Sequence, residues 1–134
     1  RNKREALMIG YVTLGTNDLA RGVKFYDALA ALLDTPRMME GETYVAWGTM
    51  DGGAGIGLMR PHDGNPATVG NGVMVALQAR DEAHVREIYE TALTHGGSDE
   101  GAPGLRDDSF YAAYFRDPGG NKLNAFTFVQ AQAG

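Results

Sequence analysis

Cysteine is absent from the 134-residue chain. This excludes disulfides, thiolate catalysis and thiolate metal sites, although it leaves the cellular compartment open. No apolar run approaches the roughly 20 residues that a membrane-spanning helix needs, and the basic start, residues 1–5, is not followed by the apolar core of a signal peptide. The net charge of −5 disfavours nucleic acid and anionic membranes as partners. We therefore expect a cytoplasmic, single-domain protein.

The chain contains an internal repeat. Tyr11 and Met74 begin similar segments 63 residues apart, and the same separation relates Asp18 to Asp81. Each segment shows the two-residue alternation of a strand, then an aspartate suited to an N-cap, then the three-to-four-residue spacing of a helix. Short strands follow each helix at a separation of 67 residues. The pattern predicts an α+β fold of two tandem βαβββ modules.

Two stretches give this pattern a family likeness: "YVTLGTNDLARGVKFYDALAALL" near the start and "FYAAYFRDPGGNKLNAF" near the end. They resemble the vicinal oxygen chelate superfamily, the group of glyoxalase I, bleomycin-resistance proteins, fosfomycin-resistance proteins and extradiol dioxygenases. The resemblance implies a single glyoxalase-like domain over residues 7–129, with module one at about 7–60 and module two at about 71–129. It also implies strands curled around a cleft, and a homodimer in which modules of two chains complete each cleft.

Metal-using members of that superfamily hold a metal with histidines and carboxylates from the first and last strands of each module. The positions that correspond by the resemblance are Tyr11, Gly57, Met74 and Asn124. None is a usual ligand of a hard cation, zinc or iron, and a single phenolate does not make a site. We therefore expect no metal and no other cofactor.

Three residues are candidates for catalysis. Tyr11 would be an acid or hydrogen-bond donor, Asn124 an oxyanion donor, and His62 a base at the mouth of the cleft. Alternatively, Asn124 pairs with Tyr11 or with buried backbone, and His62 is a loop residue without a role. The candidates for ligand binding are aromatic, apolar or cationic: Tyr11, Trp47, Arg60, Met74, Arg106, Tyr114 and Phe126.

Several of these side chains have two interpretations. Trp47 and Tyr114, 67 residues apart in the repeat, either sandwich a flat ligand or belong to the core or a dimer interface. Arg60 and Arg106 either hold an anionic group or pair with nearby acids.

Two further side chains have a simple structural expectation. We expect His84 to be solvated on the polar side of the second helix. We expect Arg116 and Asp117 to form an ordinary ion pair in a turn.

These observations favour a protein that binds a small organic molecule in a metal-free cleft of a homodimer. A first alternative is a metal-independent lyase or isomerase that uses Tyr11, Asn124 and His62. A second is a dioxygenase or other metalloenzyme with atypical ligands, and a third is a scaffold or partner-binding subunit. No sequence feature identifies the ligand.

Overall fold

The computed structural model describes residues 8–50 and 52–130. The basic start and the first residue of the predicted domain lie outside the described residues. The first module contains β1 (Tyr11–Gly15), α1 (Leu19–Leu32), β2 (Arg37–Glu40), β3 (Tyr44–Trp47) and β4 (Gly55–Met59). The second contains β5 (Val75–Gln78), α2 (Glu82–Thr94), β6 (Ser98–Leu105), β7 (Phe110–Arg116) and β8 (Lys122–Phe128). The predicted order of two βαβββ modules is confirmed.

Each module forms its own four-stranded sheet. The strand orders are β1-β4-β3-β2 and β5-β8-β7-β6, so the two sheets have equivalent topology. The first and last strands of each module pair in parallel, and the remaining pairs are antiparallel. Over the described part of the chain, no strand of one sheet pairs with a strand of the other.

The two helices begin at the predicted aspartates. Asp18 accepts a hydrogen bond from the Arg21 amide at 3.1 Å, and Asp81 accepts one from the His84 amide at 2.8 Å. Each carboxylate thus satisfies an amide that the first helical turn leaves free. Neither helix in the described part of the chain is long and apolar enough to cross a membrane.

The helices and the inner faces of both sheets enclose one continuous core. Helix α1 packs on α2, and α2 packs on the second sheet. Phe25 of α1 reaches Phe115 of β7, with ring centroids 6.4 Å apart, and both side chains are fully buried. Because the inner faces of the two sheets pack in this core, the opposite face of each sheet points away from the core.

Asp117 ties the two modules together. Its buried carboxylate accepts hydrogen bonds from the Tyr26 hydroxyl at 2.7 Å, the Gly119 amide at 2.9 Å, and both the amide and the side chain of Asn121 at 2.9 and 2.8 Å. Asn121 also donates to the Gly15 carbonyl at 2.9 Å. The expected ion pair with Arg116 is wrong, because Arg116 pairs with Glu100 at 3.2 Å instead.

The contact between Tyr26 and Asp117 has a consequence at high pH. Burial, and then the neighbouring Asp117 carboxylate, raise the pKa of Tyr26 well above its ordinary value of 10.0. In the unfolded chain the same phenol ionises near that ordinary value, so the free energy of unfolding should fall as the pH rises above about 10. We expect urea unfolding at pH 9 and pH 11 to show this loss, and Tyr26→Phe to show less of it. Equal losses in both proteins would contradict this origin.

The expectation that His84 is solvated is wrong. The side chain is 3% exposed and both of its ring nitrogens are bonded. Nδ1 accepts from the Arg80 amide at 3.0 Å, which assigns the proton to Nε2, and Nε2 donates to the Leu32 carbonyl at 2.8 Å. The first turn of α2 therefore packs against the end of α1, and a polar side chain with both groups satisfied is tolerated there.

Candidate ligand-binding cleft

The outer face of the first sheet carries an apolar hollow of about 470 Å³. Such a volume is typical of small-molecule pockets. The hollow exists because small residues occupy its floor, namely Ala46 on β3 with Gly55 and Gly57 on β4. Its walls are mostly methionine and tyrosine side chains. We call this surface the methionine face, and it comprises Tyr11, Thr13, Met38, Met39, Tyr44, Ala46, Met50, Gly55, Gly57 and Met59.

The outer face of the second sheet is aromatic and cationic. The Phe110, Phe126 and Phe128 rings cluster with centroid separations of 5.6–5.7 Å. The Arg106 guanidinium carbon lies 5.3 Å from the centroid of the Tyr114 ring, and Lys122 Nζ lies 5.5 Å from the same centroid. We call this surface the aromatic-cationic face, and it comprises Ala76, Gln78, Arg106, Phe110, Tyr114, Lys122, Asn124, Phe126 and Phe128.

Asn124 lies at the centre of the aromatic-cationic face. On β8 it alternates with the core residues Leu123 and Ala125, and its neighbours across the strands are Ala76 and Tyr114. The residue is 2% exposed, yet its Oδ1 has no hydrogen-bond partner within the described residues. Buried acceptors without partners are rare. Neither Tyr11 nor the buried backbone donates a hydrogen bond to this oxygen, so the alternative that Asn124 pairs with one of them is wrong for Oδ1.

The predicted correspondence between Trp47 and Tyr114 is wrong by one residue. Ala46 is opposite Gly57 in the first sheet, whereas Tyr114 is opposite Asn124 in the second, so Ala46 is the counterpart of Tyr114. A shift of one residue reverses the face on which a strand side chain lies. The Trp47 ring accordingly lies in the core, where it packs on Tyr26 and donates to Asp27 at 2.8 Å, and the residue also borders the hollow.

The remaining predicted residues lie at the ends of strands. Arg60 and His62 follow β4, are exposed, and do not line the hollow. Met74 precedes β5 and lines a cavity of about 540 Å³ beside the loop at residues 69–73. The sequence left open whether Arg60 and Arg106 pair with nearby acids. Within the described residues, neither forms such an ion pair. Arg106 donates instead to the carbonyls of Ala102 at 2.7 Å and Gly104 at 3.1 Å.

The chain divides the predicted site between two surfaces. Tyr11 is on the methionine face, whereas Tyr114, Asn124 and Phe126 are on the aromatic-cationic face of the other sheet. Sequence reasoning did not select Lys122, although a period-two strand places it on the same side as Asn124. It also did not select the methionines of the hollow. These methionines are scattered over several short segments, so no pattern in the sequence indicated that they share one surface.

The positions that correspond to family metal ligands do not fit a metal ion here. The register confirms Gly57 and Asn124 as counterparts, because Gly57 is opposite Thr13 and Asn124 is opposite Ala76. Gly57 has no side chain, Asn124 carries a neutral amide, and no three histidine or carboxylate side chains cluster within residues 8–50 and 52–130. This donor set cannot offset the charge of a dication.

A family model described as "Glyoxalase/Bleomycin resistance protein/Dioxygenase superfamily" matches residues 8–125. The chain belongs to this superfamily. The solved structure of a glyoxalase/bleomycin resistance protein from Albidiferax ferrireducens T118 is 33% identical in sequence, with a TM-score of 0.81. The similarity covers 90% of this chain and 98% of that one.

Other superfamily structures are more distant and support the fold alone. A glyoxalase/bleomycin resistance protein/dioxygenase family enzyme from Burkholderia phytofirmans PsJN is 18% identical, with a TM-score of 0.74 over 90% of this chain and 98% of that one. A lactoylglutathione lyase from Agrobacterium tumefaciens is 19% identical, with a TM-score of 0.65 over 92% of this chain and 96% of that one. No curated protein matched the sequence.

Proposed function

We propose that this superfamily member binds a small organic molecule in a metal-free cleft that two copies of the chain complete. The methionine face carries the proposal, because it is an apolar hollow of ligand size that the chain leaves open. Methionine side chains adapt their shape to an apolar partner. Glycine at position 57 leaves the floor of the hollow free of side-chain atoms. An added Cβ there would meet Thr13 at an ordinary distance of 3.5 Å, so a larger residue would fit and would reduce the hollow.

A homodimer would cover both outer faces at once. The methionine face exposes large apolar groups, with Tyr11 68% and Met39 52% accessible. Exposed apolar patches of this kind mark binding surfaces. A two-fold axis that places the methionine face of one chain over the aromatic-cationic face of the other would form two identical clefts. This arrangement would also bring together the surfaces that carry Tyr11 and Asn124.

Binding is better supported than catalysis. The lyase or isomerase alternative requires Tyr11, Asn124 and His62 around one ligand, and His62 does not line the hollow. The dioxygenase alternative requires ligands that the four corresponding positions do not supply. A cytoplasmic location stays a prediction from composition.

Gly57→Val should weaken ligand binding strongly while leaving the fold intact. The Cβ of the valine would meet no atom closer than 3.5 Å, its methyl groups would occupy the floor of the hollow, and valine is favoured in strands. We expect at least a tenfold loss of affinity, with the melting temperature changed by only a few degrees. A thermal-shift screen of small neutral and charged organic compounds should find hits for the native chain that Gly57→Val does not show.

Gly10→Val is the matched control, because a Cβ at Gly10 meets nothing within 4 Å and the residue does not line the hollow. It should keep every hit. Sedimentation should show a particle of twice the 14.3 kDa chain mass. A monomer without hits, or hits that Gly57→Val retains at full affinity, would refute the proposal.

A further inference from the structure

The unpaired oxygen of Asn124 specifies one property of the ligand. Oδ1 is a buried hydrogen-bond acceptor, and no donor within the described residues bonds to it. A group that completes it must carry an O–H or N–H, because a carbonyl or carboxylate oxygen has no proton to donate. Leaving such an acceptor unsatisfied is costly, and the cost is recovered only when a donor binds.

Two cations beside Asn124 specify a second property. Arg106 and Lys122 both lie against the Tyr114 ring, and neither forms an ion pair within the described residues. Arg106 uses two of its five N–H groups on backbone carbonyls, so three remain. These cations stand out in a chain whose net charge is −5. An anionic group on the ligand would give them a partner.

The surrounding rings specify a third property. Phe110 and Phe126 stack with centroids 5.6 Å apart and an interplanar angle of 24°, and Phe126 lies two residues beyond Asn124 on the same side of β8. Flat aromatic surfaces at the edge of a polar group favour a planar, aromatic ligand body. The methionine face of a second copy contains no charged side chain, so it would cover the apolar side of that body.

We infer that the cleft selects a small aromatic carboxylate that also bears a hydroxyl or amino group. The inference rests on the proposed function and names its ligand class. The carboxylate would lie toward Lys122 and Arg106, and the hydroxyl or amino group would donate to Asn124 Oδ1. Because this oxygen is buried in the unbound chain, the side chains that cover it must move aside for the bond to form. The ring would pack against Phe126 on one side and the methionine face of the second copy on the other.

Calorimetric titration with three matched probes tests this class directly. The probes are the hydroxybenzoates, their methyl esters, which lack the negative charge, and benzoate, which lacks the hydroxyl. We expect the best hydroxybenzoate to bind at least tenfold more tightly than its ester and than benzoate, because each change removes one hydrogen-bonded or charged contact. Raising the salt concentration should weaken the acids and leave the esters unchanged.

Two variants assign the contacts to residues. Lys122→Gln should weaken the hydroxybenzoates about tenfold and leave the esters unchanged. Asn124→Leu removes the unpaired acceptor at similar volume, so it should not lower the melting temperature, yet it should abolish the preference for hydroxybenzoate over benzoate. Lys24→Gln, at an exposed position on α1, is the charge-matched control and should bind all probes as the native chain does.

The possible outcomes separate the two proposals. If esters bind as tightly as acids and Lys122→Gln has no effect, the ligand class is wrong while the binding function stands. If neither these probes nor the broad screen gives a hit, both proposals fail. If Tyr11→Phe disrupts the dimer and Asn124→Leu leaves probe selectivity unchanged, Tyr11 of a second copy supplies the donor to Oδ1, and the inference is overturned.

Discussion

Asp117→Ala is expected to lower the free energy of unfolding by about 3–5 kcal/mol, a large share of the roughly 5–15 kcal/mol that keeps a typical domain folded. The substitution removes a buried acceptor of four hydrogen bonds. It leaves the buried Tyr26 hydroxyl without its acceptor and leaves the Asn121 side chain with its bond to the Gly15 carbonyl alone. Urea unfolding followed by circular dichroism measures the effect, and proteolysis resistance serves if the variant is too unstable for equilibrium work.

Asp99→Ala is the control for this experiment, because Asp99 also accepts a tyrosine hydroxyl, that of Tyr89 at 2.8 Å, together with the Gly101 amide at 2.9 Å, but does so in an exposed position. Water replaces such a bond, so the loss should be below about 1 kcal/mol. Tyr26→Phe removes a single bond to Asp117 and should fall between the two. Similar losses for Asp99→Ala and Asp117→Ala would show that the buried network has no special role.

Gly97→Ala should destabilise the protein by about 3 kcal/mol or more. A Cβ at this position would lie 2.6 Å from the Arg116 carbonyl oxygen, 2.8 Å from the Ala92 carbonyl oxygen and 2.9 Å from the Phe25 ring. Two of these atoms belong to the backbone, so the steric clash is relieved only if α2 and β7 move apart. For a domain of this size, the melting temperature should fall by about 10 °C.

The same substitution at Gly10 provides the comparison. An added Cβ there meets nothing within 4 Å, so Gly10→Ala should leave the melting temperature nearly unchanged. The difference between these two glycine substitutions measures the cost of the close approach. A melting temperature for Gly97→Ala within 2–3 °C of the native protein would mean that the turn after α2 has room to move.

The sequence contained strong signals for the fold. Asp18 and Asp81 marked both helix starts because capping is a local interaction between a side chain and amides two or three residues away. Alternation in β1 and in β5 identified the sides of those strands that pack on the core. Register between strands was harder to predict, since the loops before β4 and β8 differ by one residue. This difference made Trp47, rather than Ala46, the predicted counterpart of Tyr114.

The candidate site was only partly accessible to sequence reasoning. Asn124 was selected because it occupies a family ligand position, but its unpaired oxygen depends on which donors the fold brings near it. The role of Asp117 was missed because three of its four bonds are local to one turn, whereas the fourth reaches Tyr26, 91 residues away. Long-range partners of this kind have no signature in a single sequence.

The one-residue difference between the modules has a consequence for the direction in which a ligand can bind. A perfectly repeated pair of modules would give a cleft with two matching walls, in which a ligand could bind in either of two opposite directions. In the core, Trp47 and Phe115 occupy corresponding positions and both are aromatic. On the outer faces, Ala46 and Tyr114 occupy corresponding positions and differ in size and in chemistry. At these positions the two modules differ more on the outer faces than in the core. A molecule bound between such unlike walls would have a defined head and tail.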